Sequence, residues 1–298
     1  MGEAADRAED LAVRAIIRGA LALPYERRVP LMGAVLRRGL GPLTGLRRRA
    51  LDNLRLVRPG WTAERQRAVA DGVLDNFGRT LIELYSRREL ARRLAGEPFV
   101  GGGLPHLEEA RAEGRPVLFV TGHFGNHEAP RYALAARGFV VGGLYRAMNN
   151  RFVDAHYART MTDVSGPVFA KGRRGTLGFA RHLRGGGMAT LLFDLHAMGA
   201  PPIPFLGRPA LTATTAADLA LRTGALVLPY FGVRRPDGLR FDLRLEEPVP
   251  HAAPLAMMEE MTRRLEAQVE ARPEQWFWIH HRWKAPERQT VRAPAPPP

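Results

Sequence analysis

Cysteine does not occur among the 298 residues. Disulfides, thiolate metal sites and a cysteine nucleophile are therefore excluded, and the redox compartment stays unread. Lysine is scarce: Lys171 and Lys284 are the only two among 44 basic residues, which leaves 42 arginines. Against 30 acidic residues the formal charge is +14, carried by planar, permanently charged groups suited to phosphate and carboxylate. Long apolar runs are missing as well. The best stretch, Leu11 to Tyr25, is interrupted by Arg14, Arg18 and Pro24, short of the roughly 18 uninterrupted residues of a spanning helix. Glu3, Asp6, Glu9 and Asp10 stand where a secretory leader carries basic charge. The expectation is a chain that stays in the cytoplasm, in solution or lying on a membrane. What is present, 45% hydrophobic and 25% charged residues, is ordinary for a globular protein and excludes wholesale disorder.

Three segments are expected. Residues 1–97 read as helical, with Val73, Leu74, Phe77, Leu81, Ile82 and Leu84 recurring at helical spacing. From Arg14 to Arg58, eleven arginines face only Glu26 and Asp52, a local balance of +9. Apolar pieces such as Val29 to Leu36 alternate with those arginines, which is the composition of a segment lying on an anionic membrane surface. A solvated basic face on an ordinary helical layer is the alternative. Nucleic acid is not an expected partner, because the arginines sit among Leu, Val and Ile rather than among aromatics that would stack on bases.

Residues 98–284 change register. Short apolar runs, Arg115 to Thr121, Gly138 to Tyr145, Met188 to Asp194 and Ala225 to Val233, alternate with helical patterns at Glu128 to Ala136, Thr176 to Leu183 and Thr215 to Thr223. This predicts an α/β fold with a mostly parallel sheet and helices on both faces. Leu239 to Leu245 alternates apolar with polar, as an edge strand would, and Leu255 to Val269 reads as a helix. Residues 285–298 form a Pro-rich tail expected to be disordered.

In an open α/β sheet, reactive groups collect beyond the carboxyl ends of the strands. The strand around Val117 to Val120 runs into Thr121-Gly122-His123-Phe124-Gly125-Asn126-His127-Glu128. His123 lies in the turn, and Glu128 follows five residues later at the start of a helix. A carboxylate on one ring nitrogen would fix the tautomer and favour the imidazolium formed when the other nitrogen removes a proton. Such a His123–Glu128 dyad suits deprotonation of a hydroxyl during acyl transfer, and needs no serine or cysteine if the acyl donor is a thioester. His123 and His127 are four apart, but Gly122 and Gly125 oppose a helix there and no third ligand stands out, so no metal and no cofactor are expected.

Gly122 to Glu128 resembles the His-x4-Asp/Glu motif of the lysophospholipid acyltransferase superfamily, and more closely the HFGNWE motif of the bacterial lipid A biosynthesis lauroyl/myristoyl acyltransferases. Tyr145-Arg146 with Asn149-Asn150, Phe193-Asp194, Pro204-Phe205-Leu206-Gly207 and the segment from Arg272 to Lys284 (RPEQWFWIHHRWK) are similar to further blocks of that family, in its order. The resemblance implies that His123 acts as general base and Glu128 orients it. It implies acyl carrier protein as donor and a phosphorylated glucosamine disaccharide, a lipid A precursor, as acceptor. The expected site of action is the cytoplasmic face of the bacterial inner membrane. Arg146 and Asn149 match block residues and are candidates for phosphate contact, with Arg146 also a candidate for oxyanion stabilisation. Asp194 matches an aspartate near the site, and Lys171, Arg173 and Arg174 add candidate phosphate contacts. Two departures bear on acceptor identity: His127 replaces the family's usual tryptophan, and Asp194-Leu195-His196 its usual aspartate–glutamine. Another bacterial glycolipid or phospholipid is the alternative acceptor.

Overall fold

The computed structural model describes residues 2–283. Lys284 and the Pro-rich segment 285–298 lie outside the described residues. Six helices come first: α1 (Glu3–Leu21), α2 (Tyr25–Val35), α3 (Gly41–Leu43), α4 (Leu46–Val57), α5 (Ala63–Tyr85) and α6 (Arg87–Leu94), with a π-helical turn at Leu36–Leu40. The sheet region then runs β1 (Phe99–Val100), α7 (Gly103–Ala112), β2 (Val117–Thr121), α8 (Ala129–Ala136), β3 (Val141–Tyr145), α9 (Arg151–Thr162), β4 (Val168–Ala170), α10 (Arg173–Arg184) and β5 (Met188–Leu192). A hairpin, β6 (Pro202–Phe205) and β7 (Arg208–Leu211), precedes α11 (Thr215–Thr223), β8 (Leu226–Arg234), β9 (Phe241–Leu245) and α12 (Pro254–Ala271).

The seven-stranded sheet has the order β1-β9-β8-β2-β5-β3-β4. Strands β8, β2, β5, β3 and β4 are mutually parallel, whereas β9 runs antiparallel to β8 and pairs parallel with β1. β2 is buried at all five positions and β8 at all nine, as expected of parallel strands covered on both faces. Alternate residues of β2 serve different layers. Leu118 and Val120 join a core with Phe179, Ala216, Met257 and Leu265. Val117 and Phe119 join a second core with Leu107, Ala110 and Leu134. Helices therefore cover both faces.

The four buried runs and four helices of the sheet region stand where the periodicity places them, within a few residues. One strand differs in role. The segment read as an edge strand is β9, one position inside the edge, because the two-residue β1 covers it. A strand that short leaves no period in the sequence. Its alternation survives because Asp242 and Arg244 are half-buried while Phe241, Leu243 and Leu245 are fully buried. The β6–β7 hairpin turns on Leu206 and Gly207, both with positive φ (52° and 76°), the pairing that a two-residue hairpin loop needs.

The first helices are built into the same core. α5 starts at Thr62, whose hydroxyl accepts a hydrogen bond from the Arg65 N–H at 3.2 Å. Its apolar stripe, Val69, Ala70, Val73 and Leu74, packs in one cluster with Phe124 and Trp276. Its polar stripe, Asn76, Thr80 and Glu83, is aimed at the turn that follows β2, as the next section shows. Among the described residues, no helix is long and apolar enough to cross a membrane.

Candidate active site

Parallel pairing brings two distant segments of chain together. Thr121 of β2 stands opposite Leu192 of β5, and two residues beyond each lie His123 and Asp194. The His123 Nδ1–H donates to Asp194 Oδ1 at 2.7 Å, and the His123 backbone N–H donates to Asp194 Oδ2 at 2.7 Å. The Trp276 indole N–H, arriving from the segment after α12, donates to the same Oδ2 at 2.9 Å. Asp194 is 2% exposed, whereas the His123 side chain is 25% exposed. Burial alone would raise the Asp194 carboxyl. The adjacent imidazole and the three hydrogen bonds outweigh it and hold the group well below the usual carboxylate range. An ionised Asp194 accepts at both oxygens, so Nδ1 carries a proton.

The turn carrying His123 is held from every side. Gly125, at φ 57°, takes a left-handed conformation open to glycine. A methyl group there would collide with the Gly232 carbonyl oxygen of β8. The Gly125 N–H donates to the Gln275 carbonyl at 2.9 Å, while its own carbonyl accepts from Asn76 and Thr80 of α5, each at 3.1 Å. Asn126 donates to Glu83 at 2.8 Å and accepts from the Glu128 and Ala129 N–H groups. Glu83 is bound at both oxygens by the buried guanidinium of Arg234.

Glu128, read from the sequence as the partner of His123, is not the carboxylate on Nδ1. Its Oε2 accepts from Arg131 at 2.9 Å. Arg131 is fully buried and also donates to the carbonyls of Val141, Met161 and Ser165. The reason is local. After Gly125 the chain turns away from the sheet end to start α8, and Glu128 sits at the N-cap of that helix, three residues before Arg131. The pair ties α8 to β3 and to the end of α9. The sequence signal for the true partner was strand register: both residues lie just past paired strand ends.

The His123 ring faces a cavity of about 240 Å³ between α5, the turn and the segment after α12. Its apolar wall includes Val73, Phe77, Leu81, Leu84, Met148 and Phe277, and its polar lining includes His127 and Tyr157. Phe277 stacks on the His123 ring at 5.4 Å between centroids. Trp276 and Trp278 are fully buried and pack edge to face at 5.0 Å. Trp276 therefore combines core packing with a hydrogen bond to the site that the sequence did not reveal. The α5 residues Asn76, Thr80 and Glu83 were missed too, because polar residues on one helix face look like a solvated face until the partner turn is known.

The remaining candidates lie farther along the same sheet end. Tyr145 and Ala170 pair at the carboxyl ends of β3 and β4, so Arg146 and Lys171 follow adjacent strand ends, and Arg173 and Arg174 open α10. All four are exposed, and among the described residues none of their side chains makes a hydrogen bond or ion pair. Asn149 is exposed, while its neighbour Asn150 is buried and caps α9 through the N–H groups of Phe152 and Val153. Arg282 is buried with only neutral partners, the carbonyls of Leu195 and Leu211 and the Thr212 hydroxyl, and burial lowers its pKa to about 10. It secures the loop just after Asp194. Among the described residues, no group of three or more histidine, aspartate or glutamate side chains converges to hold a metal ion.

At the carboxyl end of a mostly parallel α/β sheet, a histidine–carboxylate pair thus borders a cavity with a largely apolar wall. The model of the bacterial lipid A biosynthesis acyltransferase family matches residues 5–285, and the chain belongs to that family of acyltransferases. A lipid A biosynthesis acyltransferase of Haemophilus influenzae is 26% identical over 245 residues, covering 78% of this chain and 74% of that protein. A lipid A biosynthesis lauroyltransferase of Escherichia coli is 26% identical over 266 residues, covering 83% of each.

Proposed function

We propose that this protein transfers a fatty acyl group from the thioester of acyl carrier protein to a hydroxyl of a lipid A precursor, with His123 as general base and Asp194 as its orienting carboxylate. The His123 Nε2 takes the proton of the acceptor hydroxyl as its oxygen attacks the thioester carbonyl carbon. The tetrahedral oxyanion collapses, the C–S bond breaks, and the imidazolium returns the proton to the departing thiolate. Asp194 keeps Nδ1 protonated throughout and stabilises the transient positive ring. Glu128 acts on folding, through Arg131. The observation that carries this reading is the 2.7 Å contact between His123 Nδ1 and Asp194, with the opposite ring edge open to an apolar cavity.

The unpartnered cations Arg146, Lys171, Arg173 and Arg174 support docking of an acidic carrier protein or the phosphates of the acceptor at the β3–β4 end of the sheet. Exposed Leu11 (66%) and Leu43 (84%), set among the arginines of the first four helices, support peripheral attachment to an anionic membrane surface, here the cytoplasmic face of the inner membrane.

The test is mass spectrometry of the lipid made by purified protein from acyl carrier protein thioester and a phosphorylated glucosamine disaccharide bearing hydroxyacyl chains. A product heavier by one acyl chain is expected. His123→Ala should abolish it while leaving the melting temperature close to that of the parent. Normal turnover by that variant overturns the base assignment, and no product from the parent protein overturns the reaction.

A further inference from the structure

The cavity beside His123 has more polar lining than the protein itself uses. Three of its polar side chains are occupied. Asn76 donates to the carbonyls of Gly125 and Gln275 and accepts from Arg234. Thr80 donates to Gly125 and accepts from Arg234. Gln275 exchanges two hydrogen bonds with the Arg234 backbone. Two more, His127 and Tyr157, line the same cavity, yet among the described residues neither ring nitrogen of His127 nor the Tyr157 hydroxyl has a hydrogen-bond partner. Both side chains are half-buried and line this cavity. Unpaired polar groups in an otherwise apolar pocket are the features that orient a ligand.

The charge state of the two groups narrows the ligand. Burial pushes His127 down to about 4, with the neighbouring His123 adding to the effect against the opposing Glu128. The ring is neutral, with one donor and one acceptor. Burial above all, then the Glu128 charge, raises the Tyr157 hydroxyl, so it remains a donor. Among the described residues, none of the side chains lining the cavity is a lysine or an arginine. Among these lining residues a phosphate finds no lysine or arginine, whereas the exposed Arg146, Arg173 and Arg174 farther along the sheet end offer such groups. The His127 ring lies 5.6 Å from that of His123, tilted by 57°, which puts it beside the reacting centre.

We propose that His127 and Tyr157 form a hydrogen-bonding pair that holds an uncharged oxygen of the substrate, a carbonyl or a hydroxyl, next to His123. The pair then selects substrates that present such an oxygen at this point of the cavity. This inference rests on the acyltransferase reading above and adds specificity-determining residues to it. A site that hydrogen-bonds a substrate oxygen rejects analogues lacking that oxygen far more strongly than an apolar wall does.

The experiment compares Tyr157→Phe, His127→Phe and His127→Gln with the parent protein in the mass-spectrometric transfer assay, with melting temperatures as a control. Tyr157→Phe removes one oxygen and keeps the ring. His127→Phe keeps a ring and removes both nitrogens, while His127→Gln restores a donor and an acceptor. Transfer is expected to fall about 10- to 100-fold in each Phe variant, the size of one or two lost hydrogen bonds, and to recover at least in part in His127→Gln. A rise confined to the KM of the acceptor identifies the bound oxygen as an acceptor hydroxyl. A fall in kcat at saturation identifies it as the carbonyl that becomes the oxyanion. Transfer within twofold of the parent in Tyr157→Phe, or a loss in His127→Phe that His127→Gln does not reduce, overturns the pair. A parent protein without activity overturns instead the reaction on which the inference rests.

Discussion

Asp194 accepts from the His123 ring, the His123 backbone and the Trp276 indole, while Glu128 accepts from Arg131. The two buried carboxylates therefore have separable duties. Asp194→Asn replaces an acceptor with a mixed amide and removes the charge that stabilises the imidazolium. It is expected to lower kcat by about 10³- to 10⁴-fold, as loss of the orienting aspartate does in other histidine-based sites. Glu128→Gln leaves the Arg131 cation buried without its counter-ion. It should destabilise the fold by about 3–5 kcal/mol and leave kcat of the folded protein within a few fold. Denaturant midpoints and single-turnover rates measured on both variants separate the two effects, and a reversed pattern would return the orienting role to Glu128. At this scale the sequence was half legible. A glycine-flanked histidine after an apolar run marks His123 as a candidate, and the structure places it at the cavity. Its partner was misread because five residues of sequence separation are visible in a string, whereas a register across 71 residues is not.

The turn between β2 and α8 is where backbone geometry decides the chemistry. Gly125 combines a positive φ with van der Waals contact against Gly232, so Gly125→Ala has neither the conformation nor the space it needs. The expected outcome is a shifted turn, a fall of several degrees in melting temperature and loss of transfer. An active variant of unchanged melting temperature would show that the turn is not held as described. α5 works at the same level. Its apolar stripe reads plainly as a helix, but that its polar stripe grips the Gly125–Asn126 turn depends on how the helix lies over the sheet. The short strands β1 and β4 and the β6–β7 hairpin escaped the sequence for a related reason. Two to four residues are too few to set up a period, and Pro202, Pro204 and Pro209 read as breakers, although at an isolated two-stranded hairpin they sit on open edges.

Across the whole molecule, half-buried histidines shape the response to acid. His127 and His280 are both pushed down to about 4, chiefly by burial, whereas in the unfolded chain each titrates at about 6.5. Between about 6.5 and about 4 the unfolded state binds more protons than the native one, so stability falls as the pH drops through that window. Denaturant midpoints should decline steadily on going from neutral pH to about pH 4.5, and a flat profile would contradict the burial of these rings. Surface chemistry makes a second prediction. Leu43→Asp, at the exposed tip of α3, should weaken co-sedimentation with anionic vesicles at low salt by several fold, and unchanged binding would remove this tip from the membrane-facing surface. The carboxylate of Asp194 has a further consequence, for biosynthesis. Two of its donors belong to His123 and the third to Trp276, a residue that a ribosome releases much later. A nascent chain can complete most of its sheet and still lack the finished relay. If the indole hydrogen bond is required for transfer, activity in a timed translation reaction begins only once that indole has docked.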